Sequence, residues 1–160
     1  MKKILISGGN SGIGLEAARQ LTAQGHHVVL LGRDPAKGKA ALETLAASAG
    51  KAEFLPVDLS THAGVKAAAE QVLATHPRLD AVLLGAGVLT TKDQRTADDL
   101  HPVFAVNYLS RYHLAQRLLP ALRGAGKGKI VLLAAGVPLG SKIDFDIFPN
   151  ATQWRPLGHY

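Results

Sequence analysis

The chain has 160 residues, no cysteine and a formal net charge of +6, with 47% hydrophobic and only 5% aromatic residues. This length predicts a single domain with a substantial core, and the absence of cysteine excludes disulfides and thiolate metal sites. The basic residues are scattered, with no dense run and no interleaved aromatics, so the charge predicts a pocket for a polyanionic small molecule and not a nucleic-acid surface.

The first predicted strand spans residues 3–6, around the apolar run Ile4-Leu5-Ile6. The basic pair before it precedes too short an apolar stretch for a secretory signal. No run approaches the roughly 20 apolar residues of a membrane span, so the expected location is cytoplasmic. Next comes Ser7-Gly8-Gly9-Asn10-Ser11-Gly12-Ile13-Gly14, leading into a helical pattern at Ile13, Ala17, Ala18 and Leu21. Strand, glycine turn and helix in this order form a phosphate-binding unit. The turn aims backbone N–H groups and the positive helix end at an anion. Glycine is needed because a side chain would hold a diphosphate off the backbone. The candidate binding residues are Gly8, Asn10, Ser11, Gly12, Ile13 and Gly14; the alternative is an ordinary glycine-rich loop.

A second strand is expected over 27–31, ending Leu31-Gly32-Arg33. An acid after this strand would bond the ribose hydroxyls of NAD(H); here a guanidinium stands instead. A charge-assisted bond from Arg33 to a 2′-phosphate is worth roughly 1.5–3 kcal/mol, favouring NADP(H) over NAD(H) about ten- to a hundredfold. Lys37, one turn on, adds to it. The alternative is a surface arginine near a helix start. The second helix is expected to take Asp34 as N-cap and Pro35 at its first position, with Ala40, Ala41, Leu45 and Ala46 facing inward.

The third strand, over 52–57, ends at Asp58-Leu59, which can offer a carboxylate and a backbone N–H to an adenine edge; alternatively Asp58 caps the next helix. That helix opens at Ser60-Thr61 and carries Val65, Ala68, Ala69, Val72 and Leu73. A fourth strand over 81–84 leads into Gly85-Ala86-Gly87. A long helix is expected from about Thr96 to Arg123, burying Val103, Val106, Leu109 and Leu114, with Pro120 kinking or ending it. The fifth strand covers 129–134.

Residues 136–160 carry three prolines and no clear period, and read as a long irregular segment on the substrate side. The expected organisation is a nucleotide-binding unit over 1–135 with 136–160 as a tail of the same domain. The alternation predicts an α/β fold: a Rossmann-like, doubly wound parallel sheet in the order 3-2-1-4-5, with strands buried on both faces. The seven histidines show no metal-ligand spacing and are expected mostly at the surface, so no metal is predicted.

The Gly-x-x-x-Gly-x-Gly turn, Asp58-Leu59, Gly85-Ala86-Gly87 and Asn107 together resemble the short-chain dehydrogenases/reductases. Gly32-Arg33-Asp34 with Lys37-Gly38, Phe104-x-Val106-Asn107-Tyr108-Leu109 and Ile143-Asp144-Phe145-Asp146 are similar to the retinol-dehydrogenase-like branch. The resemblance implies hydride transfer between NADP(H) and an alcohol or carbonyl, a lipophilic one for this branch. A tyrosine is then the general acid/base, its pKa lowered by a lysine, with a serine and an asparagine assisting.

Carried over, the asparagine is Asn107 and the tyrosine is Tyr160, the last residue, so the chain is expected to be incomplete before its lysine. The serine position falls on Ala135, which cannot donate a hydrogen bond; loss of such a donor costs roughly 10²–10³ in rate. The implied alternative is a non-catalytic NADP(H)-binding sensor or scaffold. The family pattern also implies a possible homodimer and an unpaired fifth-strand edge.

Overall fold

The structure, a computed structural model, describes residues 1–90, 92 and 94–134. Strands β1 (Lys3–Ser7), β2 (His27–Gly32), β3 (Lys51–Pro56), β4 (Ala81–Leu84) and β5 (Lys129–Leu132) form one parallel sheet in the order β3-β2-β1-β4-β5. The strand pattern of period two sends alternate residues to opposite faces. Ile4, Ile6, Val28 and Leu30 pack on one face against Ala18 of α1 (Gly12–Ala23) and Ala41 and Leu45 of α2 (Pro35–Leu45). Leu5, Val29, Leu31, Val82 and Leu84 pack on the other against Val65, Ala68 and Val72 of α3 (His62–Thr75) and Leu114 and Leu118 of α5 (Ser110–Gly124). Each fully buried Leu, Ile or Val contributes roughly 1.5–3 kcal/mol. The chain changes faces between β3 and β4, so a crevice opens at the carboxyl ends of the neighbouring strands β1 and β4.

Local signals explain the helix starts. The Asp34 carboxylate accepts from the N–H groups of Ala36 (2.9 Å) and Lys37 (3.2 Å), with Pro35 at the first helical position. Thr61 Oγ1 accepts from the Gly64 N–H at 3.0 Å. The helical rod expected from Thr96 starts later, at Pro102. Thr96 instead closes a turn, with its N–H on the Leu100 carbonyl and its Oγ1 accepting from Asp98 and Leu100. This local hydroxyl bonding competes with helix, and His101 Nδ1 then caps Val103 ahead of the N1 proline. The rod comprises α4 (Pro102–Phe104), a π-helical segment (Ala105–Leu109) and α5. Pro120 does not end it: Leu118, Ala121 and Leu122 are buried on both sides of the proline and hold α5 to Gly124.

Other expectations shift. Ile13 is 67% exposed, and Ala40 and Ala46 are exposed, because α1 and α2 turn Gly14, Ala18, Gly38, Ala41 and Leu45 inward. β5 is exposed along its whole length and pairs only with β4 among the described residues, leaving Ile130, Val131 and Leu132 uncovered. The expected tail over 136–160 lies outside the described residues. No helix among them is long and apolar enough to cross a membrane.

The histidines are not mostly at the surface. Among the six described, only His62 is exposed, while His76 and His101 are buried. His76 sits at the amino end of the sheet, its Nδ1 accepting from Lys3 Nζ at 3.1 Å, its Nε2 3.1 Å from Glu53 Oε1, which also pairs with His27 at 2.6 Å. Burial, first among the causes, holds its pKa below the usual 6.5. The folded state therefore resists a proton that the unfolded chain accepts, so this contribution is complete above about pH 6.5 and is lost as pH falls. Thermal melts should show the midpoint falling between pH 7 and pH 5. His76→Gln should flatten that fall while lowering the midpoint at pH 7; an unchanged slope in the variant would contradict the assignment.

Candidate nucleotide site at the carboxyl edge of the sheet

The turn after β1 is held by main chain alone. The Gly8 N–H donates to the Leu31 carbonyl at 2.8 Å and the Gly9 N–H to the same oxygen at 3.4 Å, which anchors the turn to the end of β2. Gly8 has φ +73°, and a Cβ there would lie 2.9 Å from the Ala86 N and Cα. A Cβ on Gly14 would lie 2.3 Å from the Gly8 carbonyl oxygen. The two glycines thus let strand, turn and helix close on one another with no side chain between them. The α1 N-terminus that results has no side-chain cap and no acid in its first turn, unlike the capped starts of α2 and α3. Its partial positive charge is open to an anion.

Around this turn the expected residues are placed as follows. Ser11, Gly12 and Ile13 are exposed at the helix start, and Asn10 lies across Gly32, where any Cβ would meet its amide at 2.8 Å. Arg33 and Lys37 are exposed beyond the end of β2. The acid beside Arg33 is Asp34, and its carboxylate is committed to capping α2. Past β3, the exposed Asp58 carboxylate accepts from the Ser60 N–H at 2.9 Å, and the Leu59 side chain is buried in the core. Gly85 and Ala86 use their N–H groups within the protein, donating to the Ser7 carbonyl (3.1 Å) and Ser7 Oγ (3.2 Å). They form a wall beside the turn, and the next residue, Gly87, is exposed.

The sequence matches the short chain dehydrogenase family model over residues 2–139. The chain belongs to the short-chain dehydrogenase family. It is 33% identical over 146 residues to mouse retinol dehydrogenase 12, which covers 90% of this chain and 46% of that protein. It is 30% identical over 151 residues to zebrafish polyprenol dehydrogenase, covering 91% and 47% respectively. The chain thus spans less than half the length of these curated relatives. Among solved structures, a metagenomic short-chain oxidoreductase in complex with NADP superposes with a TM-score of 0.74 at 32% identity, over 86% of this chain and 65% of that one.

In this short-chain dehydrogenase chain Asn107 lies inside the π-helical segment. Its Oδ1 accepts from the Val88 N–H at 2.8 Å and its Nδ2 donates to the Val88 carbonyl at 2.9 Å. The π turn sends the Ser110 N–H to the Ala105 carbonyl, and Ser110 Oγ donates to the Val106 carbonyl thereby released, at 2.6 Å. Tyr160 and Ala135 lie outside the described residues.

Two side chains at this edge were given no role of their own from the sequence: Ser7, quoted only as the first residue of the glycine segment, and Arg111. Ser7 ends an apolar strand, and a polar residue there was the available signal; it is buried and receives the Ala86 N–H. Arg111 stands four residues after Asn107, so the helical repeat itself put it on the same edge. It reaches the main chain after both β4 and β5.

The close approach at Gly14 makes a direct test. Gly14→Ala should cost about 1–3 kcal/mol through overpacking against the Gly8 carbonyl. Gly12→Ala, whose Cβ would meet nothing within 4 Å, should cost about 1 kcal/mol from its left-handed backbone alone. Urea denaturation measures both, and the reverse order would contradict the packing described.

Proposed function

We propose that this chain is the NADP(H)-binding part of an oxidoreductase that transfers hydride between NADP(H) and an alcohol or carbonyl compound. The observation that carries the reading is the combination at the carboxyl edge: an uncapped α1 N-terminus beside two exposed cations, Arg33 and Lys37. The residues present suit the cofactor. The glycine cradle admits a diphosphate to main-chain N–H groups, and the guanidinium suits a 2′-phosphate. With Asp34 held as a helix cap, the β2–α2 turn offers no carboxylate to ribose hydroxyls. The NADP complex of the metagenomic relative supports the same choice.

When bound, NADP(H) supplies the hydride donor or acceptor carbon of its nicotinamide ring. In this proposal Asn107 and Tyr160 are the catalytic residues, with Tyr160 exchanging the proton of the substrate oxygen. Asn107 holds the loop after β4 through both main-chain groups of Val88. A lipophilic alcohol or carbonyl is the favoured substrate class, by likeness to relatives named for retinol and polyprenol. Ala135 at the family's serine position favours a second reading, a protein that binds NADP(H) without turning substrate over.

Binding separates these ideas from their failure. NADPH and 2′,5′-ADP, titrated by calorimetry, should both bind the wild type. Arg33→Ser should weaken both by roughly ten- to a hundredfold while leaving NADH affinity unchanged. Wild-type protein that binds NADH as tightly as NADPH would overturn the cofactor preference. Oxidation of NADPH by a panel of lipophilic aldehydes and ketones distinguishes the enzyme from the binder.

A further inference from the structure

The ladder between β4 and β5 runs to the pair Leu84–Leu132, with one more bond from the Leu133 N–H to the Leu84 carbonyl at 3.2 Å. Beyond that point the paired strands end, and the carbonyls of Ala86 and Leu133 need other donors. Arg111 supplies them. Its Nε and Nη2 donate to the Ala86 oxygen at 3.0 and 2.7 Å, and its Nη1 donates to the Leu133 oxygen at 2.6 Å. Asn107, four residues earlier, holds Val88 by both main-chain groups. One side of the helical rod therefore grips the loop after β4 at two successive points and ties the first of them to the tail of β5.

Arg111 differs from a surface arginine in what it touches. It takes no part in any ion pair among the described residues. Half-burial draws its pKa below the usual arginine range, and three of its five N–H donors go to neutral carbonyls just past the ends of two separate strands. The planar fork of a guanidinium can bridge such a pair, whereas a single ammonium has no matching geometry. The same guanidinium lies beside Gly87, where a Cβ would come within 3.2 Å of Nη2. The loop it holds is also the one that backs onto Gly8 of the phosphate turn.

Strand order says what lies over this loop. Arg33 follows β2, the phosphate turn follows β1, and β4 and β5 lie on the opposite side of β1 from β2. A dinucleotide with its 2′-phosphate at Arg33 and its diphosphate on the turn must extend its other half across residues 85–88 and the end of β5. We infer that Arg111 is a positioning residue for this second half: by tying Ala86 to Leu133 it fixes the floor on which the nicotinamide riboside rests. The inference depends on the NADP(H) reading given above.

The test compares Arg111→Met and Arg111→Lys with the wild type in binding NADPH and 2′,5′-ADP, and in amide hydrogen exchange at residues 85–88 and 131–134. Both variants should lose about tenfold in NADPH affinity, the scale of a hydrogen bond from a charged group. Affinity for 2′,5′-ADP, which lacks the nicotinamide half, should stay within about twofold, because no part of it rests on the loop that Arg111 positions. Exchange should accelerate at both segments in both variants. Restoration by lysine would overturn the role of the fork, and a parallel loss of 2′,5′-ADP affinity would show a general structural defect and overturn the local role. Equal wild-type affinities for the two ligands would also overturn it. Wild-type protein that binds neither ligand overturns the cofactor reading instead; the tie is then judged by exchange alone, and protection that survives Arg111→Met refutes it.

Discussion

Main chain packed directly on main chain at the ends of β1 and β4 is the constraint on which the rest of this molecule depends. Gly8 lies against Ala86 at a separation that no Cβ would permit, and Gly14 lies against the Gly8 carbonyl. Ser7 joins the two sides from below, giving its carbonyl to Gly85 and its hydroxyl oxygen to Ala86. With side chains removed from these contacts, the first turn of α1 is brought to the sheet edge with its N–H groups uncapped. A helix start of this kind carries a partial positive charge that something outside the helix must balance.

The two flanks of that turn are built differently. On the β2 side the design is electrostatic: the single acid of the turn is spent on α2, which leaves the guanidinium of Arg33 and the ammonium of Lys37 facing outward. On the β4 side it is mechanical. The loop after β4 donates inward to Ser7 and is gripped from the helical rod by Asn107 and Arg111. The edge thus carries exposed cations at one end and a loop tied down by side-chain hydrogen bonds at the other, the contrast on which the proposed NADP(H) reading rests.

The π-helical segment belongs to the same device. Inserting it lets Asn107 face Val88, and Ser110 Oγ satisfies the Val106 carbonyl that the altered register would otherwise leave unpaired. A π turn is rarely stable unless tertiary contacts hold it. Here they come from the β4 loop on one side and from the buried Leu114 and Leu118 on the next turns of α5. At the far edge, β5 pairs only with β4 among the described residues, and its Ile130, Val131 and Leu132 are exposed.

The order of elements, the parallel sheet and the glycine turn between β1 and α1 were all legible in the sequence, because each rests on local chemistry. Strand runs such as Val28-Val29-Leu30-Leu31, the glycine spacing and the Asp34-Pro35 helix start act over a few residues. The start of the rod at Pro102 follows from the short-range bonds of Thr96 and His101, but the survival of α5 past Pro120 and the burial of His76 were decided by tertiary structure, since each is settled by partners far along the chain that override local preference. Arg111 is the clearest case: nothing near it in the sequence shows two carbonyls left without strand partners, for they arise only where β4 and β5 part.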